Sequence, residues 1–84
     1  MDELRAKIDA IDAELLRLFE QRMDVSAQIG AYKRAHAMPV RDPERETVKR
    51  QSAQSAVKAE YAPYAGEFYD KLAQLSRRFQ EEHR

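Results

Sequence analysis

Apolar residues recur along the first part of the chain as Leu4, Ile8, Ile11, Leu15, Leu18, Val25, Ile29 and Tyr32, in steps of four and three with one interruption. That spacing predicts one long helix with a heptad seam over about residues 2–36, with Asp2 placed to cap it and no proline before Pro39. About 33 residues of helix extend roughly 50 Å at 1.5 Å per residue. A compact domain of this length has a radius of gyration of roughly 12 Å. The helix therefore protrudes unless another subunit covers it, and the simplest cover is its own copy.

Met38-Pro39-Val40-Arg41 breaks the pattern, and Asp42-Pro43-Glu44 reads as a new helix start: Asp at the N-cap, Pro in the first turn and a carboxylate near the positive helix end. This second helix is expected over about residues 43–59. Val48, Ala53, Ala56 and Val57 supply most of its apolar surface, so tertiary contacts must hold it. After Tyr61-Ala62-Pro63, a third helix over about residues 62–82 is signalled by Tyr64, Phe68, Leu72, Leu75 and Phe79, with the tail Glu81-Glu82-His83-Arg84 expected to fray. No strand alternation or internal repeat is present. The chain reads as one all-α domain, residues 1–84, of one long and two shorter helices.

Composition narrows the function classes. With 84 residues, a lone three-helix chain buries too little surface to be comfortably stable, which again favours an oligomer. Lys+Arg 15 against Asp+Glu 15 gives no net charge, so the global field of a nucleic-acid binder is missing and any basic site is local. The absence of cysteine removes disulfides, thiolate metal sites and cysteine nucleophiles. His36 and His83 share no helical spacing with each other or with a carboxylate cluster and read as surface residues, so neither a metal nor another cofactor is expected. The opening MDELRAKIDAID is charged from its second residue and has no apolar run suited to a signal peptide or membrane span. A soluble, cytoplasmic protein without a membrane partner is the expectation.

The residues that break the pattern carry the candidate chemistry. The seam should be apolar at position 22, between Leu18 and Val25, but holds Arg22. A buried guanidinium costs several kcal/mol unless paired, so Arg22 either escapes to the surface or faces a carboxylate, a wet pocket or an anionic ligand. Lys33 follows about three turns on, within roughly 20° of the same face. Gly30 lies between them and suggests a close approach to the backbone, by another helix or by something else. Arg5 lies about 25 Å back along the axis and roughly 100° round, so it cannot join Arg22 within one straight helix, although in an antiparallel dimer of these helices it could meet the partner's site. On the second helix Asp42, Arg45, Glu46 and Lys49 share a face of mixed charge; on the third, Ser76 and Gln80 are an i, i+4 polar pair.

In order and spacing, LRAKIDAIDAELLRLFEQRM, then IGAYK, then PVRDPERE resemble the all-helical chorismate mutases over essentially the whole chain. The resemblance implies an intertwined homodimer forming a six-helix bundle, in which each site borrows an arginine from the other subunit. It implies rearrangement of the small dicarboxylate chorismate to prephenate, with no cofactor. Arg5 resembles the borrowed arginine and Arg22 the same-subunit arginine, both binding substrate carboxylates. Lys33 resembles the lysine that contacts a carboxylate and the ether oxygen. Asp42, Arg45 and Glu46 resemble the group near the substrate hydroxyl, with Glu46 its acceptor. Ser76 would assist a carboxylate, and Gln80 would donate to the ether oxygen beside Lys33.

The chain departs from that pattern at Lys49 and Arg77, where aliphatic pocket walls are expected, and the segment between the second and third helices is about two residues short. Competing expectations are an isochorismate pyruvate lyase or a 4-amino-4-deoxychorismate mutase on the same scaffold, or a non-catalytic helical dimerisation domain. The last leaves Arg22, Lys33, Arg45 and Gln80 unexplained. Having both Asp42 and Glu46 favours the mutase over the lyase.

Overall fold

The computed structural model describes residues 1–83. Its elements are α1 (Asp2–Ala35), α2 (Pro43–Ser55), a short 3-10 turn (Ala59–Tyr61) and α3 (Ala62–Glu82), with no strand among the described residues. The longest dimension of the molecule, 51 Å, is that of α1 itself, which at 34 residues and 1.5 Å per residue needs about that length.

Helix ends account for three differences from expectation. Asp2 does not cap α1: the first helical hydrogen bond runs from Arg5 N–H to Met1 C=O, so Met1 holds the cap position and Asp2 falls inside the first turn. There it joins Glu3 at the positive end of the helix dipole. Asp42 does cap α2, its Oδ1 accepting from Arg45 N–H at 3.1 Å with Pro43 behind it. That helix ends at Ser55, short of Ala59, because Lys58 turns extended (φ −56°, ψ 146°) and the 3-10 turn then swings the chain back beside α2. At the far end, of the tail Glu81-Glu82-His83-Arg84 expected to fray, Glu81 and Glu82 stay in α3 and His83 takes the C-cap position, while Arg84 lies outside the described residues.

The exit from α1 is a turn without glycine. Met38 N–H reaches back to Lys33 C=O at 2.8 Å and Ala37 N–H to Arg34 C=O at 3.3 Å, the paired bonds of a Schellman motif. Its left-handed position is Ala37, φ 53°, where a side chain costs about 1–2 kcal/mol.

Helix α3 packs against both α2 and α1. Glycine marks both crossings: a Cβ on Gly30 of α1 would lie 2.9 Å from Gln80 Cγ, and one on Gly66 of α3 would lie 2.9 Å from Gln54 Nε2 of α2. The face of α1 turned toward α3 carries Phe19, Arg22, Ser26, Gly30 and Lys33, about 60° round the helix from the seam. The seam residues, Leu4 through Tyr32, are therefore left 46% to 62% exposed. Ala73 is the one buried apolar side chain among the described residues. The accessible surface is 6823 Å², against roughly 5,200 Å² for a compact monomer of this mass. Likewise the radius of gyration is 15.3 Å rather than roughly 12 Å.

Candidate active site

The heptad seam and the polar stripe beside it part company on the second half of α1, and the stripe forms one wall of a cavity of about 240 Å³. Arg22, Val25, Ser26, Ile29 and Lys33 line it from α1, Val40 and Asp42 from the connecting loop, Arg45 and Glu46 from α2, and Tyr69, Ala73, Ser76, Arg77 and Gln80 from α3.

Arg22 and Lys33 are each held by neutral acceptors that leave the charge available. A nitrogen of the Arg22 guanidinium donates to Ser76 Oγ at 2.6 Å and approaches Leu72 C=O at 3.4 Å. A guanidinium has five N–H donors, so most of the fork stays free. Lys33 Nζ donates to Val40 C=O at 2.7 Å, with two of its three hydrogens unassigned. That carbonyl is presented by the turn at Ala37, so an exit signal without glycine sets the position of an ammonium in the cavity.

Gln80 is buried, 7% exposed, and wedged against Gly30. Its Nε2 donates to Ser26 Oγ at 3.0 Å, while Oε1 is buried without a partner. The reverse amide orientation would let the serine hydroxyl donate to Oε1 and leave Nε2 alone. In either orientation one polar end of a buried amide lacks a protein partner, at a cost of about 1–3 kcal/mol that a ligand can relieve.

On the opposite wall, Asp42 spends Oδ1 on the helix cap, and Glu46 Oε1 accepts from Arg77 at 2.5 Å with Arg41 3.9 Å away. Arg77 thus lines the cavity where an aliphatic wall is expected. Lys49 is exposed and does not line it.

Of the residues singled out in the sequence, Arg22, Lys33, Asp42, Arg45, Glu46, Ser76 and Gln80 meet here, and Arg5 does not line the cavity of its own chain. Sequence reasoning passed over Ser26, Val25, Ile29, Val40, Tyr69 and Ala73. Ser26 was findable, being four residues from both Arg22 and Gly30 on one stripe. Tyr69 and Ala73 carry no such signal. His36 and His83 are exposed and bond to carbonyls of their own helices, Tyr32 and Phe79, at 2.8 Å.

The sequence profile of chorismate mutase type II matches residues 4–81. The T-protein of Haemophilus influenzae is 35% identical over 98% of the chain, which spans 20% of that protein's length. A 4-amino-4-deoxychorismate mutase of Streptomyces pristinaespiralis is 47% identical over 54% of the chain and 35% of its own length. The bifunctional chorismate mutase/prephenate dehydratase of Aquifex aeolicus is 44% identical over 55% of the chain and 13% of its own length. No solved structure matches. A profile match over nearly every residue, on a three-helix chain whose stripe of cations faces a buried glutamine, places the chain in the chorismate mutase type II family.

Proposed function

We propose that the chain is a cytoplasmic, homodimeric chorismate mutase of one domain, converting chorismate to prephenate by intramolecular [3,3] rearrangement. The observation that carries this reading is the gathering of Arg22, Lys33, Arg45 and an incompletely paired, buried Gln80 around one cavity, in a chain of this family.

The reaction needs no nucleophile, proton transfer or electron transfer, so positioning and electrostatics supply the rate. Arg22 and Arg5 of the second subunit clamp the two substrate carboxylates and hold the enolpyruvyl arm over the ring, the conformer from which the new bond forms. Ser76 holds Arg22 in place for this. As the C–O bond breaks, negative charge grows on the ether oxygen, where Lys33 and the Gln80 amide donate. These donors act more strongly in the transition state than in the ground state, and losing one costs about 3–4 kcal/mol, some hundred- to thousandfold in rate. Asp42, Arg45 and Glu46 hold the ring hydroxyl, with Glu46 accepting its hydrogen bond.

The dimer rests on the bare seam. The surface in excess of a compact monomer, roughly 1,600 Å², is ample beside the about 800 Å² per partner of a standard interface. An antiparallel pair of α1 helices also brings Arg5 toward the other subunit's Arg22.

Incubating purified protein with chorismate and following its ultraviolet absorbance tests the activity. Decay above the uncatalysed rate with prephenate as product is expected; no decay in a folded dimer overturns the reading, and release of pyruvate from isochorismate in its place substitutes the lyase. Mixing Arg5→Ala with Arg22→Ala chains tests the shared site. Random pairing leaves both arginines in about a quarter of sites, so roughly that share of activity should return. A second reading, a mutase acting on 4-amino-4-deoxychorismate, is favoured by two relatives of that name, 47% and 34% identical over 45 and 53 residues.

A further inference from the structure

The carboxylate assigned to the substrate hydroxyl is not free. Glu46 Oε1 receives Arg77 at 2.5 Å, with the two side chains 18% and 25% exposed, and Arg41 stands 3.9 Å from the same oxygen. Oε2 has no hydrogen-bond partner among the described residues. Around the cavity, Arg22, Lys33, Arg45 and Arg77 face Asp42 and Glu46, so the lining is net positive before a second subunit adds Arg5.

A carboxylate paired with a guanidinium keeps lone pairs but loses most of its field. A neutral hydroxyl needs only a lone pair, and Oε2 offers one. An ammonium needs the field; bonded to Oε2, it would also stand within about 5 Å of the Arg77 guanidinium, in surroundings that screen little. We propose that Arg77 is a specificity-determining residue. By occupying Glu46 it fits the site to chorismate, with its neutral ring hydroxyl, and turns away the ring-amino counterpart. This rests on the mutase reading above and chooses between its two substrates.

The test is competition between the two substrates, measured as the ratio of kcat/KM for chorismate to kcat/KM for 4-amino-4-deoxychorismate. The ratio cancels any loss of folded enzyme common to both. Wild type should favour chorismate. Arg77→Met should lower the ratio at least about tenfold, whereas Arg77→Lys, which keeps the charge, should hold it within about threefold. If Arg77→Met slows both substrates equally, the pair is merely structural and the proposal fails. A wild-type preference for the amino substrate also overturns it. If wild type converts neither compound, the mutase reading itself falls, an outcome distinct from an unmoved ratio in an active enzyme.

Discussion

The two halves of α1 are written in the same heptad rhythm and meet different fates. In the first half Leu4, Ile8, Ile11 and Leu15 keep 47% to 62% of their surface exposed. In the second half α3 lies against the helix, yet what it buries is Ser26 and Gly30, with Arg22 and Lys33 half-buried beside them. Apolar periodicity along α1 thus marks a surface that its own chain leaves uncovered, and the interruptions mark where its own chain packs and builds a cavity. A leucine tolerates many neighbours, whereas a buried amide and two cations tolerate few, which is why chemistry concentrates in the second half.

The largest effect should come from breaking the first half. Ile11→Glu puts a charge in the middle of the seam, where burial against a second subunit costs several kcal/mol. Sedimentation should show a dimer for wild type and a monomer for the variant at the same concentration, and activity should vanish although no cavity residue has changed. An active monomer would sever the proposed link between dimer and site.

The next largest belongs to the second half. Gln80→Glu replaces an amide donor by an ionised carboxylate that cannot donate, so at neutral pH the rate should fall by about a hundredfold or more. Acidification should restore part of the loss as the glutamate takes up a proton, giving the variant an acid requirement that wild type lacks. Flat pH profiles for both enzymes would show that position 80 does not donate to the reacting oxygen.

Legibility followed the same division. The long helix, the break at Pro39, the Asp42 cap and the start of α3 were all readable, because apolar period and cap chemistry are local signals. The early end of α2 was not: Ala56 and Val57 follow Ser55 with no glycine or proline to stop the helix, and what ends it is the need to return α3 beside it. The direction faced by each stripe was equally hidden. Pattern placed Arg22 in the seam, whereas the structure turns it toward Ser76, because only the α1–α3 crossing decides which flank of an apolar stripe is covered. The Arg77–Glu46 pair joins residues 31 apart in sequence and was visible only as an arginine out of place.

A smaller effect tests the crossing itself. Gly30→Ala gains about 1 kcal/mol of helix propensity, but its Cβ would lie 2.9 Å from Gln80 Cγ, a carbon too near the α3 backbone to swing away. The two terms offset in stability to within about 1 kcal/mol, while displacement of Gln80 should lower kcat about tenfold. A loss of stability with kcat unchanged would mean that the glycine serves packing alone.

The smallest effect lies at the end of the second half, where Ala37 holds a left-handed conformation in the turn that presents Val40 C=O to Lys33. Ala37→Gly removes the side-chain penalty of that conformation, about 1–2 kcal/mol, and adds unfolded-chain entropy of about 0.5–1 kcal/mol. The net gain should be about 0.5–1 kcal/mol. In a domain of this size that raises Tm by about 2–8 °C, measured at matched protein concentration because association contributes to Tm. Activity should be unchanged, since the Lys33 to Val40 bond needs the turn and not the methyl group. A lower Tm would mean that the methyl group of Ala37 makes contacts worth more than the strain it brings.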